Sequence, residues 1–558
     1  MLEALKAIGS IQLAQENKEA IDILLQNPDS NGKYKIVWFI EFDKLGKFIR
    51  VSQEDLKKES FSLYLYRQGS GSNAPDFSPT SRVTELPKTF NRLQTWFKNH
   101  RSYNNLFTTI YQELQDYKEV IIEKLQSFDT QLPKNINKVL SIKVDGRYLY
   151  ECEIFKKVFI EDFFKKIEEV AHLNGICSIC GEQKDKIFTT SALYRFYTLD
   201  KECYITSGFN KKEAWKNFPI CRECFLAIDY GKKFVEEHLH FHFYNHDYYL
   251  IPQMLLESDA VLESILDILR FSQKELRLQK SSEEQIVDDE EILQEIVKDA
   301  NDFISLYLLF LKRSNKAERI ELLLEDILPS RIHTIIETKK AIQIQYGSFH
   351  LGELFTFCDT QRRFFEITDK IFRGGRLSLK FLIALMIQKM RGVVHENKKL
   401  CLLALQSIKS LKYLELLAII KTKGYRMNDQ FDSLFEQIGA GLDSEVKRGI
   451  FLLGVLTQKL LVLQQKQRGS MPFMQHLKSL KMNQKDLLGL LPKVINKFHE
   501  YGHFNKCEQT LAAAISDYLL KQPSAKLSVD ELNFYFAAGM ALSYRVTQAI
   551  CKGADDEE

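Results

Sequence analysis

Hydrophobic and polar positions follow three successive rhythms along this chain. A helical spacing over Glu3–Gln26 gives way to apolar, β-favouring runs at Tyr34–Phe42 and Lys47–Val51, interrupted by Asp43–Gly46. Two such runs around a polar break predict a β-hairpin. Phe61–Arg67 is a further short strand candidate, followed by Gln68–Arg82, a Gly-, Ser-, Asn- and Pro-containing stretch that cannot be helical. Helical spacing resumes over Lys88–Lys98 and Asn104–Phe128, and Lys138–Phe155 alternates like a second set of strands. The N-terminal region is therefore predicted to be α+β.

The second rhythm opens with a predicted helix over Phe159–Leu173 that runs into Asn174-Gly175 and a cysteine-containing insert ending near Gly231. His238–Ile251 is dense in aromatic residues and reads as a strand. Ser281–Asp302 carries nine acidic groups against Lys298 alone, with Ile286, Ile292, Leu293, Ile296 and Val297 near helical spacing, which predicts a helix with one very acidic face. From about Leu351 onward the third rhythm is helical throughout. Leu377–Met390, Leu400–Lys421, Lys447–Gln465, Asp486–His499, Thr510–Lys521 and Val529–Ala549 predict an all-α C-terminal bundle of six or more helices. The expected domains are residues 1–175 (α+β), 176–231 (cysteine insert), 232–345 (continuation with the acidic helix) and 346–558 (helical bundle).

Composition excludes some classes. At 558 residues, 45% hydrophobic and 27% charged, the chain is neither wholly disordered nor fibrous. Its densest apolar stretch, Leu306–Leu311, is far short of the roughly 20 residues that cross a bilayer. Met1–Lys18 lacks a long apolar centre and reads as a helix rather than a targeting segment, so no membrane partner and a cytoplasmic location are expected. The formal net charge of +3 hides an asymmetry. Residues 1–350 carry 47 basic and 53 acidic groups, residues 351–558 carry 30 and 21, and within the latter 371–500 hold 22 and 9. Such a concentration can hold a phosphate backbone by counterion release, although single lysines on helix exteriors usually do no more than solvate them.

The cysteines carry the most specific signal. Cys177-Ser178-Ile179-Cys180 and Cys221-Arg222-Glu223-Cys224 are two CxxC turns with 40 residues between them. Two such turns brought together complete a closed tetrahedral thiolate site, and Gly181 stands where a knuckle turn needs positive φ. With every position filled by sulfur no water is left to activate, so Cys177, Cys180, Cys221 and Cys224 are expected to bind a structural Zn2+. An iron–sulfur cluster, or loss of the metal, stays open as an alternative. The loop between the turns must have its own structure, for which Tyr194, Phe196, Tyr197 and Tyr204 offer a small core. Cys152, Cys203, Cys358, Cys401, Cys507 and Cys551 lack framework spacing and read as reduced core residues.

Catalytic signals are sparse. The chain has no GxxxxGK[ST] loop, GxGxxG, GxSxG, HExxH or close acidic pair in an apolar strand. His238, His240, His242 and His246 share alternate positions of a strand, but mixed His, Phe and Tyr strands are usually packed sheet. No enzyme activity is expected.

Four features in this order resemble the large subunit of type I-B CRISPR surveillance complexes (Cascade): an α+β start with the loop Tyr66-Arg67-Gln68-Gly69-Ser70-Gly71-Ser72, the CSICG and CRECF pair, a strand with Tyr248–Pro252, and a helical C-terminal bundle. The resemblance implies a non-catalytic role in antiviral defence. Such subunits sit at the 5′ end of the guide RNA, read the protospacer-adjacent motif on duplex DNA, start strand separation to form the R-loop, and help recruit a separate helicase-nuclease. Implied partners are the CRISPR guide RNA, double-stranded and displaced single-stranded DNA, and the Cascade backbone and small subunits. In this reading the loop donors Arg67, Gln68, Ser70, Ser72, Asn73 and Arg82 face DNA or guide RNA, unless Gln68–Ser81 is a surface linker. The bundle is similar to the small subunit and holds target and displaced strands, with Arg373, Arg376, Lys380, Lys389, Arg391, Lys398 and Lys399 as one basic segment. Lys447, Arg448, Lys466, Arg468, Lys478 and Lys481 form another, and the Arg373–Arg376 stretch around Gly374-Gly375 is the first choice for phosphate contact. The resemblance also suggests a free small subunit begun at Met427, where Lys423-Gly424 implies purine-rich codons. Alternatives are a zinc-dependent nuclease acting through His240 and His242, or a protein-interaction adaptor without DNA contact.

Overall fold

A computed structural model of the chain describes residues 1–558 except 30–31, 58, 70–75, 134–135, 169–170, 191, 198, 200–202, 204, 206–207, 209, 245, 257, 279–303, 315–316, 423–430, 522–526 and 556–558. Two units emerge, Met1–Glu237 with Arg313–Arg319, and His238–Lys312 with Ile320–Glu558. The opening helix is two helices. Helix α1 (Leu2–Glu16) ends where Asn17 turns left-handed at φ 48°, and Glu19 then forms a capping box with Asp22 to start Ala20–Leu24.

The predicted hairpin forms, with β1 (Tyr34–Phe42) antiparallel to β2 (Phe48–Asp55) from Ile36 opposite Asp55 to Phe42 opposite Phe48. A short β3 (Ser81–Arg82) follows, then α2 (Leu86–His100) and β4 (Asn137–Val144), giving the sheet order β2-β1-β4-β3. Strand β1 runs parallel to β4 at the centre, and Ile36–Phe42 are all buried, as expected for a strand covered on both faces. Val37, Phe39 and Val139 pack with Leu56 and Tyr64.

Phe61–Arg67 is not a strand. Phe61–Tyr64 is a 3-10 turn, Leu65 follows at φ 50°, and Tyr64, Leu65 and Tyr66 are buried in succession, which an alternating strand does not do. The strand pattern over Lys138–Phe155 also stops early. Asp145 (φ 55°) and Gly146 (φ 71°) end β4, and Leu149–Glu151 leads into α3 (Glu153–Ile167). The helix expected over Phe159–Leu173 thus starts and stops sooner, and His172 opens β5 (His172–Ile176), which pairs with β6 (Gln183–Ile187). Helix α4 (Arg222–His238) crosses α1 so closely that a Cβ on Gly9 would overlap the Ala227 carbonyl oxygen, and one on Gly231 the Leu5 carbonyl oxygen.

In the second unit the histidine-rich run is a hairpin, β7 (His240–Phe243) and β8 (His246–Met254), with Tyr244 at φ 47° in the turn. Strands β9 (Ile304–Ser314) and β10 (Ala317–Ile327) extend it to the order β10-β9-β8-β7. The acidic segment Ser281–Asp302 lies outside the described residues.

The C-terminal part is all-helical. It contains α5 (Pro329–Tyr346), α6 (Gln361–Arg373), α7 (Leu379–Gly392), α8 (Asn397–Leu416), α9 (Glu445–Arg468), α10 (Gln484–Leu488), α11 (Leu490–Glu500), α12 (Lys506–Lys521), α13 (Val529–Ala541) and α14 (Ser543–Asp555). Helix α9 is the axle. It is buried from Val446 to Gln458, and it packs on α11, α12, α13 and α14. At its crossing with α13, Gly454 faces the Phe536 carbonyl and Gly539 the Phe451 carbonyl, with no room for a Cβ. Among the described residues no helix is long and apolar enough to cross a membrane.

Candidate metal centre and nucleic-acid interface

The two CxxC turns meet. Cys177 follows β5 directly, its N–H donates to the Glu182 carbonyl (3.0 Å), and the Gly181 N–H returns to the Cys177 carbonyl (2.9 Å), closing a knuckle with Gly181 at φ 71°. Cys221 precedes α4 and Cys224 lies in its first turn. The knuckles are clamped to one another by Ser178, whose N–H and Oγ both donate to the Pro219 carbonyl at 2.8 Å, and by paired backbone bonds between Phe188 and Ile220 (3.0 and 2.9 Å). The four Sγ atoms all lie within 4.8 Å of one another; Cys177, Cys221 and Cys224 are buried and Cys180 is partly exposed.

This donor set fits a soft cation. A tetrahedral ion with bonds of about 2.3 Å holds its sulfurs about 3.8 Å apart, close to what the backbone already imposes. The N–H groups of Cys221 and Cys224 point at the sulfurs of Cys177 (3.4 Å) and Cys221 (3.5 Å). Burial resists ionisation of Cys177, but backbone N–H groups of Cys180, Ile179 and Cys221 outweigh it and bring the thiol down to about 7. Cys221 moves the other way, because the Cys224 thiol beside it and burial both disfavour a second charge. A cation among the sulfurs would offset the charge of further thiolates in this volume, and these four residues can bind a metal ion.

Around the site, Glu168 accepts from both Nε and Nη2 of Arg222, the latter at 2.7 Å, and the guanidinium lies 4.7 Å over the Phe164 ring. Burial resists ionisation of Glu168, yet Arg222 and Lys186 hold its carboxyl below the usual range. The core beneath is Phe164, Phe188 and Phe225, with ring centroids 5.8–6.1 Å apart. The tyrosine core expected for the intervening loop is partly present. Tyr194 stacks on Phe196 at 4.8 Å and Tyr197 on Phe218 at 5.5 Å, while Tyr204 lies outside the described residues.

Two of the loop donors, Arg67 and Arg82, are placed otherwise than expected. The Arg67 guanidinium sits 5.9 Å from the Phe77 ring and 4.5 Å from the Phe163 ring, with Nη1 donating to the Leu24 carbonyl at 2.5 Å. Arg82 lies over Tyr34 and Tyr66 and donates to the Pro28 carbonyl at 2.9 Å. Both brace the base of the loop from inside instead of projecting toward a ligand. Gln68 gives its backbone N–H to Gln26 Oε1 at 3.1 Å. The buried Asp76 ties the two ends of the loop, accepting from the Gly69 N–H (2.9 Å) and the Ser81 hydroxyl. Ser70, Ser72 and Asn73 lie outside the described residues, as does Met427.

The basic bundle residues divide sharply. Arg373 donates to the Leu323 carbonyl (2.6 Å) and pairs with Asp369 (3.1 Å), and Arg391 donates to the Leu480 carbonyl (3.0 Å) and pairs with Asp530 (2.7 Å). Lys447 and Arg448 are buried, the latter 1% exposed and 2.6 Å from Asp432. They are interior residues, which corrects their assignment to a phosphate-facing surface. Arg376, Lys380, Lys389 and Lys398 are exposed and make no ion pair among the described residues, and Lys466 and Arg468 are exposed at the end of α9. Sequence reading passed over Lys485, Lys493 and Lys497, which join Lys478 and Lys481 on one stretch; their density between Lys466 and Glu500, where Asp486 and Glu500 are the only acids, was the available signal.

The histidines do not form one cluster. His242 pairs with Asp247, His240 lies 3.7 Å from that carboxylate, and His246 instead packs with tilted rings against Phe364 (4.4 Å) and Phe365 (5.0 Å). Among the described residues only the four cysteines bring three or more ligand atoms into metal-binding range.

Three domain models of one family match the chain in order, the N-terminal domain over residues 1–161, the central domain over 174–327 and the C-terminal domain over 349–552. The chain belongs to the CRISPR-associated protein TM1802 family. No curated protein matches it. The cysteine centre lies at the start of the family's central domain, the braced loop in its N-terminal domain, and every basic segment of the bundle in its C-terminal domain.

Proposed function

We propose that this CRISPR-associated protein is the non-catalytic large subunit of a type I-B guide-RNA surveillance complex. In this reading it holds the guide RNA 5′ end and the target and displaced strands, reads the protospacer-adjacent motif in duplex DNA, promotes strand separation and helps recruit a helicase-nuclease. Base pairing with the guide then supplies sequence specificity, while the protein supplies a short motif reader and backbone contacts. The observation that carries the reading is the family's C-terminal domain presenting exposed cations, among them Arg376, Lys380, Lys389 and Lys398, that make no ion pair among the described residues, on an all-helical bundle. The four-cysteine centre would hold Zn2+ through Cys177, Cys180, Cys221 and Cys224, and a closed thiolate set gives the ion a structural role. A start at Met427 would release a fragment holding α9 together with its partners α11, α12, α13 and α14.

The test is reconstitution with guide RNA and the backbone and small subunits. The assembled complex is expected to retard target duplex only when the motif and this chain are both present, and to cut only after the helicase-nuclease is added. Metal-dependent hydrolysis of DNA by the purified chain alone, lost in H240A/H242A, would overturn the proposal in favour of an enzyme.

A further inference from the structure

Between α9 and α11 the backbone does something unusual for residues other than glycine. Lys478, Ser479 and Leu480 are left-handed in succession, at φ 44°, 51° and 57°. Each such residue costs about 1–2 kcal/mol, so a run of three persists only if the surroundings impose it. They do so from three helices. Arg391 on α7 donates to the Leu480 carbonyl at 3.0 Å. Asn533 on α13, fully buried, accepts from the Met482 N–H (3.1 Å) and donates to its carbonyl (2.8 Å), and Gln464 on α9 accepts from the Phe473 N–H at 3.0 Å. Leu477, Leu480 and Met482 are thereby driven into the core, which turns Lys478, Ser479 and Lys481 outward.

The outward side is cationic. Lys478 is neutralised by Asp486 (2.5 Å) and Lys497 by Glu500 (2.5 Å), whereas Lys481, Lys485 and Lys493 are exposed and have no ion pair among the described residues. Lys478, Lys493 and Lys497 share one neighbourhood, and Lys481 and Lys485 lie on the short stretch between Lys478 and Asp486. Burial and then the charges of Lys493 and Lys497 depress the His476 imidazole, and Lys493 also acts on Asp486. Repulsion among fixed cations is relieved by an anion of regular charge spacing.

We propose that this left-handed turn, with α10 and α11, is a docking face for the phosphodiester backbone of a polynucleotide, Lys481, Lys485 and Lys493 being the contacts and Arg391 a positioning residue that holds the turn from inside. The inference rests on the nucleic-acid-binding reading above and names the face that does the binding. The experiment uses the full chain and fluorescence anisotropy with a labelled single strand of about 20 nucleotides and its duplex, across a salt series. The triple variant K481Q/K485Q/K493Q, altered only at exposed positions, is expected to bind at least about tenfold more weakly at 0.1 M salt, with a log–log salt slope shallower by about two to three. A loss on either form supports the proposal, and its size tells which form the face holds. R391Q removes the charge but keeps a donor for the Leu480 carbonyl, so it should retain the wild-type slope; a slope as shallow as the triple variant's would make Arg391 a contact and overturn its positioning role. Unchanged affinity and slope in the triple variant overturns the docking face, which then is idle or serves an acidic polypeptide. A wild-type chain that binds neither form would instead overturn the functional reading itself.

Discussion

The cysteine module and the C-terminal bundle keep their shape by different means. In the module, β5 and β6 are short and largely open to solvent, with Leu173 63% and Ile176 64% exposed, and apolar burial is concentrated in the small cluster of Phe164, Phe188 and Phe225 beneath the cysteines. What brings Cys177–Cys180 to Cys221–Cys224 is that small cluster, a handful of backbone bonds and the sulfur atoms gathered above them. In the bundle, α9 buries its side chains on every side for more than three turns and touches the α13 backbone through Gly454 and Gly539. In the proposed metal-bound form an ion between the sulfurs adds to the first arrangement; the second stands on hydrophobic burial and close packing. The contrast teaches where each region fails.

The largest expected effect comes from taking the ion away. Structural zinc contributes on the order of 10 kcal/mol to small thiolate modules. A chelator strong enough to strip the metal, or C177S, is therefore expected to leave amide hydrogens of residues 172–189 and 218–228 exchanging freely while those of α9 keep their protection. The native protein should carry about one zinc per chain by mass spectrometry. Equal protection in module and bundle after metal removal would erase the distinction.

The module and the bundle were both legible in the sequence, for different reasons. CxxC spacing carries its own geometry, and the helices from Leu377 onward carry the 3.6-residue period of a buried stripe. What was not legible depended on contacts remote in sequence. Strand β9 is buried at Ile304–Phe310 without alternation, so its period could not announce a strand, and its partner β10 went unread with it. Phe61–Arg67 has the composition of a strand but folds as a turn, because Tyr64, Leu65 and Tyr66 are all drawn into the core. Charge counts located the basic region yet could not tell Arg448, locked against Asp432 and the Phe435 ring, from Lys485 in water. An arginine looks the same in sequence whether it braces the interior or meets a ligand.

A middle-sized effect compares two helix crossings directly. In the bundle, Gly454→Val forces a side chain into the Phe536 carbonyl; in the first unit, Gly9→Val does the same to the Ala227 carbonyl on α4. Each obstacle is backbone, which cannot rotate aside, and overpacking of this kind costs about 1–3 kcal/mol. Urea unfolding followed by probes in each unit should show G454V lowering the midpoint reported by the bundle, and G9V lowering that reported by the first unit and weakening zinc retention, because α4 carries Cys224. Zinc retention unaffected by G9V would show that the cysteine centre does not depend on the α1 crossing.

The smallest effect concerns acid. Burial depresses the imidazoles of His246, His350 and His476; Glu321 and Asp247 oppose it at His246, while Lys339 and Lys409 reinforce it at His350, as Lys493 and Lys497 do at His476. All three lie in the second unit. With folded values below the ordinary 6.5, the unfolded chain takes up protons first as the pH falls, so stability is complete above about pH 6.5 and declines below it. The bundle's urea midpoint should therefore be lower at pH 5.5 than at pH 7.5, and H246F, which keeps a ring against Phe364 and Phe365, should reduce that difference. The pH window, not the sign, separates this response from that of carboxylates such as Glu54 and Glu113, whose values are also depressed and whose contribution is lost only at more acidic pH. A midpoint that rises on acidification from pH 7.5 to 5.5 would mean that the fold favours charged histidines, contrary to the burial that Phe364 and Phe365 impose on His246.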